Sequence, residues 1–120
     1  MRALTLIAAL LATLAACGRD APQRTVAGGD AALGQRLVEQ YQCGACHAIP
    51  GARGAGGQAG PPLGHFGKRS YIAGQFPNVA NSLVAWLVDP PGMKPGTMMP
   101  ALGMSQAEAR HMAAYLYTLQ

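Results

Sequence analysis

Polar and apolar positions divide this chain into unlike stretches. Residues 3–12 form an apolar run interrupted only by Thr5, whereas residues 18–29 mix Pro, Gly, Arg, Asp and Thr with no apolar periodicity. Further on, apolar side chains return at helical spacing three times: Leu33, Leu37 and Tyr41 with Val38 alongside, then Leu83, Trp86 and Leu87, then Met112, Tyr115, Leu116 and Leu119. Positions three and four apart share one face of a helix, so each set predicts an amphipathic helix with its stripe turned inward. No segment alternates convincingly as a strand would, and the expected fold class is all-α, with about three to five helices.

Local signals punctuate these helices. Asp30 is placed to cap the first, and Ser105-Gln106-Ala107-Glu108 has the reciprocal Ser/Glu spacing of a capping box at the start of the last. Pro90-Pro91 stops the middle helix, which spans residues 81–88. Between the first and middle helices, residues 51–60 carry Gly at 51, 54, 56, 57 and 60. Without a preceding strand or a terminal Gly-Lys-Ser/Thr, they read as a surface loop and not a phosphate cradle.

The N-terminal run is too short to span a bilayer, which needs about 20 apolar residues, and with Arg2 in front it reads as an export signal. It ends in Leu14-Ala15-Ala16-Cys17-Gly18, which resembles a bacterial lipobox with Cys17 as the lipidated first residue of the mature chain. Domain organisation is then a signal peptide at 1–16, lipidated Cys17 with a flexible tether to residue 29, and one folded domain at 30–120. A diacylglyceryl anchor, unlike one acyl chain, holds a protein on the membrane effectively permanently. The expected location is the periplasmic side of a bacterial membrane, inner or outer being open.

Composition narrows the chemistry. The formal net charge is +4, only 12% of residues are charged, and Lys68-Arg69 is the only adjacent basic pair, so there is no nucleic-acid footprint. With 16 Gly, 9 Pro, one Trp, four Tyr and two Phe among 120 residues, a core made of protein alone would be thin. That deficit points to a bound group in the interior.

Cysteine spacing indicates which group. Setting aside Cys17 leaves Cys43-Gly44-Ala45-Cys46-His47, the C-x-x-C-H pattern of haem attachment. Two sulfurs one turn apart can reach the two vinyl groups of one porphyrin while His47 comes up beneath the iron. A redox dithiol normally opens a helix after a strand, and a zinc site needs ligands that His65 and His111 supply poorly. For the sixth iron position the chain offers Pro95-Gly96-Thr97-Met98-Met99-Pro100, with Met99 52 residues beyond His47. A thioether there stabilises ferrous iron and favours electron transfer over oxygen binding. Met93, Met104 and Met112 read as flexible packing.

On these motifs, with Gly60-Pro61-Pro62-Leu63, Leu83-Val84-Ala85-Trp86-Leu87-Val88-Asp89-Pro90 and Ala114-Tyr115-Leu116, the domain resembles the class I c-type cytochromes. It especially resembles the cytochrome c domain fused to subunit II of caa3-type terminal oxidases, from residue 34 to the end. The resemblance implies a cytochrome c fold wrapped around one covalent haem c, with His47 and Met99 as axial ligands and thioethers at Cys43 and Cys46. It implies that the Pro61 carbonyl accepts from the His47 ring, that Gly34 lets the first helix meet the last, and that Trp86 lies in the haem pocket. Of Arg53, Lys68 and Arg69 as neighbours of the propionates, family position favours Lys68 or Arg69.

The function expected is that of a membrane-tethered monohaem carrier of single electrons, not an enzyme in itself. Its expected partners are a terminal oxidase and a quinol-oxidising complex of a respiratory chain, met by a monomer. Two alternatives stand beside it: a haem protein with an open sixth site, peroxidase-like or gas-sensing, and a permanent cytochrome subunit of an oxidase complex.

Overall fold

The computed structural model describes residues 23–120; the export signal and Cys17 lie outside the described residues. Four α-helices carry the fold: α1 Ala31–Gln40, α2 Ala80–Val88, α3 Pro90–Met93 and α4 Gln106–Thr118. Short 3₁₀ turns occupy Cys43–Ala45 and Phe66–Lys68, and a two-stranded antiparallel ladder pairs β1 Tyr71–Ile72 with β2 Phe76–Pro77.

Helix boundaries follow the side-chain chemistry. Asp30 Oδ1 accepts from Leu33 N at 2.9 Å, starting α1. At α4 the capping box is complete: Glu108 N donates to Ser105 Oγ at 3.2 Å and Ser105 N to Glu108 Oε2 at 2.8 Å. Each such cap satisfies amide groups that the helix itself leaves unpaired. Pro90 ends α2 as expected, but it also begins α3, because Asp89 Oδ1 accepts from Gly92 N at 3.0 Å and proline suits a first helical position.

α1 and α4 cross at Gly34, where a Cβ would run into the His111 carbonyl. Leu37 and Val38 are buried on one side of this contact, and Met112, Ala113 and Leu116 on the other, while α2 adds Leu83, Trp86 and Leu87. The last helix buries more than its expected stripe, since Ala109 and Tyr117 are also fully enclosed. Asn78, 2% exposed, has no unpaired polar atom: Nδ2 donates to the carbonyls of Phe66 and Arg69, and Oδ1 accepts from the Tyr117 hydroxyl at 3.1 Å. This network ties the 66–69 turn to α4.

Two features depart from the sequence reading. The β-ladder, where no strand was expected, has two residues per strand, too few to show alternation. Residues 23–29, assigned to the tether, contain no helix or strand but lie against the domain. Val26 is buried, Gln23 Nε2 donates to Tyr117 O at 3.2 Å, and Arg24 donates to the Gly67 carbonyl with its guanidinium 5.9 Å from the Tyr117 ring centroid.

Candidate functional site

The site is assembled on the chain leaving α1. After Tyr41 the backbone turns left-handed at Gln42 (φ 55°), and the 3₁₀ turn Cys43–Ala45 sets Cys43 half-buried and Cys46 exposed. No disulfide joins them, and burial would hold an unattached Cys43 thiol above its ordinary value. The turn follows a helix and precedes none, unlike the helix start expected of a redox dithiol. Among the described residues no three His, Cys, Asp or Glu side chains gather as a metal site.

His47 is fixed by its second nitrogen. Nδ1 lies 2.7 Å from the Pro61 carbonyl oxygen, which can only accept, so Nδ1 donates and Nε2 is the ring nitrogen left to meet a metal. The Pro61 carbonyl is held in turn. Gly60 N donates to Cys46 O and Leu63 N to Ala48 O, both at 2.8 Å, pinning the backbone on either side of a proline that has no N–H to offer. Gly60 also makes room for the imidazole: a Cβ there would lie 2.7 Å from Nδ1. Gly57 similarly backs onto the Ala45 carbonyl. A half-buried thiol, an exposed thiol three residues on and an oriented imidazole lone pair next in line are the donor set that a covalently attached haem requires, and the residues fit it.

Met99 is half-buried and packs against the hydrophobic core, while Met98 is 93% exposed. Met99 N approaches Thr97 Oγ1 at 3.4 Å, and Thr97 N donates to Lys94 O at 3.1 Å. Met104 and Met112 are buried and Met93 half-buried, in keeping with a packing role. Trp86 is buried with its ring centroid 6.0 Å from that of Phe76 at 40°.

The basic candidates separate. Arg53 pairs with Glu39 at 2.9 Å, and its backbone N–H, then its side chain, hold the Glu39 carboxyl below the ordinary range. Arg69 donates to the carbonyls of Pro62 and Gly64 with its guanidinium 5.8 Å from the Phe66 ring centroid, so it braces the loop bearing Pro61. Lys68 is exposed. The remaining histidines have local partners: His65 Nδ1 lies 2.7 Å from Gln120 O, and His111 Nδ1 accepts from Asp30 N at 3.0 Å.

The family model described as cytochrome c matches residues 31–120. The chain belongs to the cytochrome c family. Similar to it is the cytochrome c oxidase subunit 2 of Alkalihalophilus pseudofirmus, 39% identical over 88 residues, which are 72% of this chain and 25% of that protein. The cytochrome c oxidase subunit 2 of Bacillus subtilis is 30% identical over 86 residues, 70% of this chain and 24% of that protein. The chain therefore spans about a quarter of the length of these relatives. As a class I c-type cytochrome it is an electron carrier whose cofactor is a single covalent haem c. Among the described residues no helix is long and apolar enough to cross a membrane.

Sequence reasoning overlooked some of what holds this site. The steric role of Gly60 is visible only once the ring lies over it, although the glycine opens the Gly-Pro-Pro-Leu motif. The brace from Arg69 and the docking of Arg24 and Val26 have no sequence signal, since each depends on carbonyls or rings distant along the chain.

Proposed function

We propose that this cytochrome carries single electrons between respiratory partners at a membrane surface, with Cys43 and Cys46 holding the haem, His47 and Met99 binding its iron, and a terminal oxidase receiving the electron. The observation that carries the proposal is the 2.7 Å bond from His47 Nδ1 to Pro61, which orients Nε2 as an iron ligand next to the two thiols. The bound haem supplies the reversible ferric/ferrous couple. His47 supplies a fixed donor, Met99 a soft thioether that favours the ferrous state, and the packed core around Trp86 excludes water. With Arg69 engaged by carbonyls and Arg53 by Glu39, Lys68 is the basic residue assigned to a propionate.

Cys17 is the proposed lipid anchor, with residues 18–22 as the tether proper because residues 23–29 are docked. Periplasmic-side tethering makes encounters largely two-dimensional. Oxidase as acceptor is supported by the likeness to oxidase subunits, which also favours a second reading, a cytochrome held permanently within an oxidase complex. Copurification with a membrane oxidase distinguishes subunit from shuttle, and release of a Cys17→Ser protein from membranes at high salt tests the anchor.

The deciding experiment is the spectrum of holoprotein beside a Met99→Ala variant. A weak near-infrared sulfur-to-iron band in the ferric parent, lost in the variant, is the expected result. Its absence from the parent, with ready carbon monoxide binding to the ferrous form, would overturn the reading in favour of an open sixth site.

A further inference from the structure

Residues 23–29 precede the part of the chain that the family model matches, yet they are fastened to one end of the domain. Gln23 donates to the Tyr117 carbonyl, and Arg24 joins the Gly67 carbonyl to the Tyr117 ring. Val26 is buried, and a Cβ at Gly29 would lie 2.7 Å from that of Ala114. The chain therefore leaves the domain at a fixed point, beside the last turn of α4.

An apolar face adjoins that point. The Tyr117 hydroxyl donates to Asn78 Oδ1, and Asn78 N donates to Ser70 O at 2.9 Å, continuing the ladder in which Tyr71 pairs with Pro77. Side chains alternate along such a ladder. Ile72 and Asn78 turn inward and are buried, whereas Tyr71, Pro77 and Val79 turn outward. Tyr71 is 59% exposed and Val79 52%. Arg24, Lys68 and Arg69 border this face, and residues 40–88 contain neither Asp nor Glu. Neutral carbonyls and rings engage Arg24 and Arg69 without cancelling their charge, so both remain cations even with Lys68 given to a propionate.

We propose that Tyr71, Pro77 and Val79 rest on the surface of an anionic lipid bilayer, and that the docked strap at residues 23–29 fixes this side of the domain toward the membrane. The proposal rests on Cys17 being the lipid anchor. From Cys17 to Gln23 is six peptide steps, about 20 Å when fully extended, against about 30 Å for the width of a domain of this size. A tether of that length keeps the exit point, and the face beside it, nearest the lipid. Tyrosine with an aliphatic neighbour suits the headgroup region, where one end of the ring is apolar and the other wet, and bordering cations are drawn to lipid phosphates. Seating the face restricts tumbling about the anchor, so redox partners meet the haem in a narrowed set of orientations.

The test uses the holo-lipoprotein in vesicles of phosphatidylglycerol and phosphatidylethanolamine, with a nitroxide on Val79→Cys or, as a reference, on Ala107→Cys. Ala107 is exposed near the start of α4, about 15 Å along that helix from Tyr117. Collision with a water-soluble nickel relaxant is expected to be at least about fivefold less frequent at position 79 than at 107. Adding Tyr71→Ser is expected to bring the two positions within about twofold while the protein still floats with the vesicles. An unaltered haem spectrum shows that a variant is folded, and Tyr71→Cys carries the label if Val79→Cys changes that spectrum. Loss of flotation would overturn the anchor, and the lipid face with it. Floating protein with equal collision rates at the two positions would overturn the lipid face alone. Protection of position 79 in native membranes but not in pure lipid vesicles would assign the face to a protein and overturn it likewise.

Discussion

The two arms assigned to the iron are built on different principles. On the His47 side, Gly57, Gly60 and Leu63 donate backbone bonds of 2.9, 2.8 and 2.8 Å to the segment 44–48, and Arg69 adds side-chain bonds to the next carbonyls. On the Met99 side, the described hydrogen bonds made by residues 95–104 are Thr97 N to Lys94 O at 3.1 Å and Met99 N to Thr97 Oγ1 at 3.4 Å. The histidine is clamped by the fold, whereas the methionine is delivered by a loop kept in place chiefly by packing. In the proposed ligation the bond from Met99 to iron would supply part of the order that hydrogen bonds do not supply there, so the Met99 arm is the one expected to open first.

Amide hydrogen exchange puts that contrast to its most sensitive test. Opening free energies within one domain range from near zero in weakly held loops to the global value in its core. The amides of Gly60 and Leu63 are expected to exchange at least about 100-fold more slowly than those of Ala101 and Leu102 in ferrous holoprotein. Equal protection on the two sides would remove the comparison altogether.

Matched glycine substitutions carry the same contrast into stability. At Gly60 a methyl group would lie against the His47 ring, within 2.7 Å of Nδ1, so Gly60→Ala must displace the ring or the pinned backbone. Overpacking of this kind costs about 1–3 kcal/mol. Gly103, at φ 72°, has nothing within 4 Å of where its Cβ would be, leaving only left-handed backbone strain of about 1 kcal/mol for Gly103→Ala. Denaturant unfolding is expected to rank them in that order, with a shifted haem spectrum in Gly60→Ala alone.

Much of this arrangement is legible without coordinates. Periodicity locates α1, α2 and α4 because each buries a stripe, and α1 and α4 also begin at a residue whose side chain accepts from the backbone, whereas α2 starts behind Val79 with no such cap. The His47 side is legible too, since C-x-x-C-H and Gly-Pro-Pro-Leu are local spacings. Less visible are features that depend on distant partners. Pro90-Pro91 signals an end but not the new turn that Asp89 caps, and residues 71–77 are too short a hairpin to alternate. Val26 and Arg24 sit in a segment with no periodicity, yet Val26 is buried and Arg24 reaches both the Gly67 carbonyl and the Tyr117 ring of α4. The sequence reading leaves Lys68 and Arg69 as equivalent neighbours; the backbone carbonyls that engage Arg69 separate them.

Arg69→Met tests that separation with a smaller expected effect. It removes hydrogen bonds to the Pro62 and Gly64 carbonyls and replaces a guanidinium beside the Phe66 ring, at an expected cost of about 1–2 kcal/mol in denaturant unfolding. If Arg69 acts by bracing the Pro61 loop, the Met99 band is retained while protection of the Leu63 amide falls. Lys68→Met, at an exposed position, is expected to leave that amide unchanged.

Acidification gives the smallest of these effects and discriminates between the arms by where it acts. The Arg53 backbone N–H, then its side chain, lowers the Glu39 carboxyl; the Ser105 backbone N–H, then its hydroxyl, lowers that of Glu108. A carboxyl held lower in the folded chain contributes stability that is fully present above its unfolded pKa, about 4.3, and is lost as pH falls through the folded value. Both groups are half-buried and still reached by solvent, so screening keeps each contribution small. Glu39 braces the loop after the thiols, whereas Glu108 holds the start of α4, where the Met99 loop ends. Thermal melts between pH 5 and 3 are expected to show falling stability, and Glu108→Gln, which can still accept in the capping box, is expected to flatten that fall. The near-infrared band should survive to lower pH in Glu108→Gln than in Glu39→Gln, because only the former relieves acid strain on the loop that carries Met99.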